Sequence, residues 1–367
     1  MTQAFHGGRV SDAAREFGLA HESILDFSSN LNVLAPAISM AEWSRWAADI
    51  TRYPEPDAGT LGRRLARLYR LDSNHILPTA GAVEGLYLVA RLFAGCSVGI
   101  VEPAFSDYGR SFATVSCKLE HIILPRELWH ASAGRWAHLL EPFDVVVFGN
   151  PNNPTGSMQS RAELRRLLET NWSRPKQWIV DEAFIEFAPK HEEETLLAIV
   201  QEFPSLIVLR SLTKSWRVPG LRAGFVATTG SMERLRQMQP PWSINAVVQA
   251  WAECYLVEER HAQLQRTLEE LREVKLQFET RLRTISGIRV YPAAANFLLV
   301  ELLEQSIDAD HLYQQLGRRG VLIRVCDSFR GLAKGRFIRL AVRTRAENNR
   351  CAEELSAVCG ELIRRAA

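Results

Sequence analysis

The chain has 367 residues, 47% hydrophobic and 23% charged, with a formal net charge of +2. That length accommodates one large domain plus a smaller one, and the composition is that of an ordinary globular protein. The near-neutral charge gives no electrostatic case for nucleic acid or an anionic membrane as partner. Six cysteines show no C-x-x-C spacing, which argues against a zinc site or a disulfide framework and fits a reducing cytoplasm. The start, Met1-Thr-Gln-Ala-Phe-His6, lacks the basic-then-apolar pattern of a signal peptide. The apolar runs are too short to span a bilayer.

Taken in chain order, residues 1–40 look separate from the main sheet and are expected to join a small domain. Small residues in Thr79-Ala-Gly81-Ala82-Val83-Glu84 precede a helix-like stretch over Gly85–Phe93, where free backbone N–H groups can bind phosphate. Ser97–Glu102, Asp144–Phe148, Gln177–Asp181 and Leu206–Leu209 read as buried parallel strands. Arg161–Glu169 and Glu192–Glu202 read as helices between them. This alternation predicts an open α/β sheet over 41–262, with ligands beyond the carboxyl ends of its strands. Leu264, Leu268, Leu271, Phe278 and Leu282 recur at helical spacing and predict a long amphipathic helix opening a third segment, 263–367. There Phe297–Glu301, Val321–Arg324 and Phe337–Ala341 read as strands of a smaller domain.

The chemistry lies at the strand ends. Lys214 stands in Ser211-Leu212-Thr213-Lys214-Ser215-Trp216, followed by Gly220-Leu-Arg222-Ala-Gly224. A lone lysine is usually a solvated surface charge, but an amine in a crevice can condense with an aldehyde to a Schiff base. Ser211, Thr213 and Arg222 offer two hydroxyls and a guanidinium, a set suited to a phosphate dianion. Gly220 and Gly224 are expected to let the backbone turn tightly around it. Asp181 closes an apolar strand, where a carboxylate costs desolvation energy unless paired. Alone it reads as a helix cap or turn residue. Beside Lys214 it is favoured as partner of a protonated pyridine nitrogen. Asn153 lies in Asn150-Pro-Asn-Asn153-Pro-Thr-Gly156, a turn whose amide suits a phenolic ring oxygen, with turn chemistry alone as the bland reading. Tyr108, in Phe105-Ser-Asp-Tyr108, is either a ring-stacking residue or a core aromatic.

Together these residues resemble the fold-type I pyridoxal 5'-phosphate (PLP) enzymes, a resemblance that spans essentially the whole chain. Two subfamilies are similar, the histidinol-phosphate aminotransferases and the threonine-phosphate decarboxylases of cobalamin biosynthesis. The ends of the chain favour the decarboxylases: His6-Gly7-Gly8, Ile24-Leu-Asp-Phe-Ser-Ser-Asn30-Leu-Asn32, Leu322-Ile-Arg324-Val-Cys-Asp-Ser and Phe337-Ile-Arg339-Leu-Ala-Val-Arg343. Phe184 points the same way, because the aminotransferases usually carry Tyr there. Val33 and Ala35 depart from the decarboxylase pattern, which has Pro and Gly; the exchange frees one φ and restricts another position near the substrate.

The resemblance implies an α/β fold-type I PLP-dependent transferase, with a large domain on a mostly parallel sheet and a smaller α+β domain. It implies that Lys214 holds PLP, Asp181 meets its ring nitrogen, Asn153 its ring oxygen and Tyr108 its ring face. Gly81, Ala82, Val83, Ser211, Thr213 and Arg222 would hold its phosphate. Tyr53, in Arg52-Tyr-Pro-Glu-Pro56, would reach the cofactor phosphate of a second subunit, hence a homodimer. His6, Gly7, Asn30, Asn153, Arg324 and Arg339 match substrate positions, and two arginines suit a phosphorylated amino acid. No metal is implied. The expected activity is decarboxylation of L-threonine O-3-phosphate, with transamination of the histidinol-phosphate type as the alternative. A PLP-fold binding protein without catalysis is a further alternative. Intact Lys214, Asp181 and Asn153 argue against it, as does the lack of a DNA-binding segment before residue 6.

Overall fold

The computed structural model describes residues 7–366, so His6 lies outside the described residues. The strands, in chain order, are β1 (Leu25–Asp26), β2 (Ile76–Thr79), β3 (Ser97–Glu102), β4 (Lys118–Ile123), β5 (Val145–Gly149), β6 (Gln177–Asp181) and β7 (Leu206–Ser211). They continue with β8 (Gly224–Ala227), β9 (Ile288–Val290), β10 (Phe297–Leu302), β11 (Val321–Leu322), β12 (Arg324–Val325) and β13 (Phe337–Ala341).

The central sheet has seven strands in the order β2-β8-β7-β6-β5-β3-β4. From β7 to β4 all neighbours are parallel, while β8 runs antiparallel between β7 and β2. This is the mostly parallel α/β architecture implied by the residue pattern. The continuous apolar runs of β5, β6 and β7 follow from burial on both faces. Val146, Val180 and Val208 pack into one apolar cluster, and Val147, Ile179 and Ile207 into another across the sheet. β4 lies at an edge and alternates, with Lys118 and Glu120 exposed, as half-solvated edge strands do.

A second sheet is four-stranded and antiparallel, β12-β13-β10-β9, and β1 pairs in parallel with β11. The amphipathic helix spans Glu258–Leu282 and buries Leu264, Leu268, Leu271, Phe278 and Leu282, the five apolar positions read from its spacing. Two expectations need correction. The helix expected over Glu192–Glu202 is a single turn, His191–Glu194, and then a 3-10 segment, Leu196–Ile199. Thr195 breaks it by capping Leu197 while the Leu196 N–H donates to Glu182 at 2.7 Å. The strand expected over Val321–Arg324 is two short ones in different sheets, parted at Ile323.

No helix among the described residues is long and apolar enough to cross a membrane. All six cysteines are free, and no cluster of three metal-ligating side chains occurs among the described residues.

Candidate active site

Because β5, β6 and β7 are parallel neighbours, their carboxyl ends open on the same side of the sheet. The segments at those ends bring Asn153, Asp181 and Lys214 to one cavity of about 440 Å³. Ala82, Val83, Tyr108, Ser211, Thr213 and Arg222 line it too. So do Gly7, Asn30, Arg324 and Arg339, contributed by the N-terminal segment and the second sheet.

Lys214 sits in the turn after β7, and its carbonyl accepts from the Asn32 N–H at 2.9 Å. Burial removes water from its ammonium, and Arg339 and Arg222 add repulsion. The amine is therefore lowered to about 8, against the opposing pull of Asp181. Asp181 ends β6. Its carboxylate accepts from the Tyr108 hydroxyl at 2.8 Å and from the Ala183 N–H at 2.9 Å. Burial pushes its carboxyl up, while Tyr108, the Ala183 N–H, Lys214 and Arg210 pull it back. Tyr108 is thus both a buried aromatic and a donor into the cavity.

One end of the cavity has the chemistry of an anion cradle. The Gly81–Arg91 helix begins there, and the first N–H groups of a helix have no partner within it. The Ser211 and Thr213 hydroxyls lie 2.8 Å apart. Gly81 has φ +79, and a Cβ on it would come within 2.6 Å of the Arg222 guanidinium. A Cβ on Gly224 would meet the Ala82 nitrogen at 2.7 Å and the Arg210 carbonyl oxygen at 2.6 Å. Gly220 lies in a turn closed by the Leu221 N–H donating to the Val218 carbonyl at 3.1 Å, but a Cβ there would meet nothing within 4 Å, so this turn does not demand glycine. The left-handed backbone there belongs to Arg217 and Arg222.

Another part of the lining is cationic. Arg324 on β12 and Arg339 on β13 are direct cross-strand partners. Arg339 donates to the Asn153 amide oxygen and, at 3.0 Å, to the Ser28 carbonyl. Its guanidinium lies 5.2 Å from the centre of the Phe297 ring, and burial brings its pKa down to about 10. Arg324 donates to Ser328 at 2.7 Å and lies 5.5 Å from the Phe329 ring centre. Among the described residues no carboxylate pairs with either arginine, and the Arg339 Nε and the Asn30 amide oxygen are buried without partners. Like charges facing each other across a strand pair destabilise it. An anion bound in the cavity would relieve this repulsion.

Tyr53 does not line this cavity. It is 86% exposed and packs on Trp242 at 5.2 Å between ring centres. Val33 and Ala35 also lie outside the cavity, and neither adopts a positive φ, so the missing glycine at 35 leaves no strain. Sequence reasoning missed Ser28, Phe105, Ser106 and Phe329, which line the cavity. Phe105 and Ser106 stand directly before the short Asp107–Phe112 helix, a signal that the Phe-Ser-Asp-Tyr stretch carried.

The fold and the lysine-centred site define an aminotransferase-like enzyme. The chain belongs to the aminotransferase class I and II family, whose model matches residues 22–355. It is 34% identical over 350 residues to a threonine-phosphate decarboxylase from Salmonella typhimurium, covering 94% of each chain. It is similar in structure to L-threonine-O-3-phosphate decarboxylase from Porphyromonas gingivalis (TM-score 0.76, 26% identity, 86% of this chain and 96% of that one). Histidinol-phosphate aminotransferase from Clostridium acetobutylicum is similar as well (TM-score 0.81, 26% identity, 92% of this chain and 100% of that one).

Proposed function

We propose that the protein is a PLP-dependent decarboxylase of L-threonine O-3-phosphate. Its products would be carbon dioxide and (R)-1-amino-2-propanol O-2-phosphate, used for the cobalamin side chain. The observation that carries this reading is the Arg324–Arg339 pair, two guanidinium groups on one wall of the cavity that holds Lys214, with no carboxylate partner among the described residues. A substrate with a phosphate and a carboxylate satisfies both. The relative from Salmonella typhimurium, similar over nearly the whole chain, bears that activity in its name.

The donor set fits PLP. The helix start at Gly81-Ala82-Val83, the hydroxyls of Ser211 and Thr213 and the guanidinium of Arg222 would hold its phosphate. Asp181 would meet its ring nitrogen, Asn153 its ring oxygen and Tyr108 its face. When bound, PLP supplies an electron sink for a bond broken at the substrate's Cα. Lys214, whose amine is lowered to about 8, is partly neutral near neutral pH and able to take and return a proton there. Asp181, held by Tyr108 and the Ala183 N–H, supplies a fixed negative charge. Arg324, Arg339 and Asn30 orient the substrate's anionic groups, and that orientation selects which Cα bond breaks.

The division into an N-terminal segment (1–40) that joins a small domain, a large domain (41–262) and a C-terminal small domain (263–367) belongs to the same reading. The pairing of β1 with β11 supports it. A homodimer is part of it too. Met40, Trp43, Ile50, Tyr53 and Trp242 are large exposed apolar or aromatic side chains, a set that suits a second copy.

Incubation of the PLP-loaded protein with phosphothreonine, phosphoserine and histidinol phosphate, followed for carbon dioxide and for keto-acid products, tests the proposal. Carbon dioxide release from phosphothreonine without added 2-oxoglutarate supports it. No release, together with 2-oxoglutarate-dependent turnover of histidinol phosphate, replaces it with the aminotransferase reading.

A further inference from the structure

Two acidic residues, Asp181 and Glu182, follow one another at the end of β6. Only Asp181 lines the active cavity. Successive side chains on an extended segment point to opposite faces, so a slip of one residue would present Glu182 in place of Asp181. β7 has the same alternation: Ser211 lines the cavity and Arg210 faces away from it.

Behind the sheet these two outward residues meet. Arg210 donates to Glu182 at 3.2 Å and to Glu186 at 2.9 Å, and all three are almost fully buried. Thr195 donates to Glu182 at 2.6 Å and accepts from Arg210 at 3.2 Å. The Tyr69 hydroxyl donates to Glu186 at 2.7 Å, with the Arg210 guanidinium 4.9 Å from its ring centre. Arg210, Glu186, Tyr69 and Thr195 line a separate cleft of about 980 Å³, which shares no lining residue with the active cavity. A buried ion pair adds little net stability over a well-packed apolar substitute, whereas its fork geometry accepts few arrangements.

We propose that Arg210 is a positioning residue: by binding Glu182 and Glu186 from behind the sheet, it fixes which of the two adjacent carboxylates faces the cofactor. It holds the end of β6 against the end of β7, so that Asp181, Ser211 and the turn carrying Lys214 keep one mutual geometry. Arg210 touches neither cofactor nor substrate. The proposal rests on the PLP reading above but not on which Cα bond breaks.

The test compares wild type with Arg210→Met, Arg210→Lys and Glu182→Gln. It measures affinity of the apoprotein for PLP, the pH midpoint of the bound cofactor's absorbance, kcat and KM. Hydrogen exchange of the apoprotein over 177–187 and 206–215 is followed alongside. Arg210→Met is expected to weaken PLP binding and lower kcat by about 10- to 100-fold, the effect of a small misplacement, with a much smaller change in KM. It also shifts the absorbance midpoint and speeds exchange in both segments. Arg210→Lys recovers only part of the loss, because an ammonium cannot bridge two carboxylates as a fork. If Arg210→Met does not fold, Glu182→Gln, which keeps the Glu186 half of the network, is expected to move the same readouts in the same direction. Unchanged cofactor affinity and absorbance midpoint in the folded variants, whatever their thermal stability, overturn the proposal. Failure of the wild type to decarboxylate phosphothreonine would sink the substrate reading and leave the affinity and exchange results to judge Arg210.

Discussion

Arg324 and Arg339 face each other across adjacent antiparallel strands, and among the described residues neither is matched by a carboxylate. Without an anion between them the pair is a cost to the fold. Removing one charge therefore has opposite effects on stability and on binding. Arg324→Gln is expected to leave the thermal midpoint of the ligand-free protein equal to or above that of wild type. It is expected to raise KM for phosphothreonine by about 10- to 100-fold, the worth of one charge-assisted hydrogen bond. Calorimetry and carbon dioxide release measure the two effects. A fall in stability with KM unchanged would place Arg324 in the framework and not in the binding wall.

The Lys214 amine titrates near 8 and not at the ordinary 10.5. Between those values the unfolded chain carries a proton on this lysine that the folded chain has released. Stability of the cofactor-free protein contributed by this group therefore rises with pH across that window, and the penalty is fully present below about 8. An uncharged amine-acylating reagent, with peptide-resolved mass spectrometry, is expected to label Lys214 in the cofactor-free protein with a midpoint near 8. A midpoint near the ordinary lysine value would show that the cavity leaves the amine unperturbed.

How far the sequence disclosed this arrangement depends on which residues carried their own signal. β3, β5, β6 and β7 were readable because burial on both faces forces unbroken apolar runs, and the residues at their ends then had to share one side. β2, β4 and β8 were not read. β2 and β8 are only four residues each, and β4 mixes charged with apolar side chains at an edge. The break at Thr195 was hidden because its cause is the distant carboxylate of Glu182. Asn30, Arg324 and Arg339 had no local pattern to mark them, since Arg324 and Arg339 meet across two strands of the second sheet and Asn30 reaches the cavity from the N-terminal segment beyond β1. Their place came from resemblance alone. The Arg210 network was likewise invisible, because a buried arginine and an exposed one look the same in one dimension.

Gly224 and Gly220 stand four residues apart and make contrasting demands. A Cβ at 224 would press on backbone atoms of Arg210, Gly81 and Ala82 at 2.6 to 2.8 Å, and none of these is a flexible side-chain end. A Cβ at 220 meets nothing within 4 Å. Gly224→Ala is expected to cost about 1–3 kcal/mol as an overpacked site and to weaken PLP binding by displacing the helix start. Gly220→Ala is expected to stay within about 0.5 kcal/mol of wild type with unchanged cofactor affinity. Thermal melts and PLP titration of both variants check this. Equal behaviour of the two would remove the close-approach account of the cradle.

Tyr53 is 86% exposed and outside its own subunit's cavity, although it is expected to serve a cofactor phosphate. Both statements hold if it serves the cavity of a second copy. In that arrangement Tyr53→Ala and Lys214→Ala each impair every site of their own homodimer, through different subunits. A hybrid of the two variants then contains one site with an intact Lys214 from one subunit and an intact Tyr53 from the other. Mixing the two proteins under conditions that exchange subunits is expected to restore decarboxylation above that of either alone. Dilution that drives the protein to monomers is expected to abolish the gain, and the loss should follow the mass measured by light scattering. If mixing gives only the sum of the separate activities while hybrids demonstrably form, Tyr53 does not act across the interface, and its exposed ring needs another account.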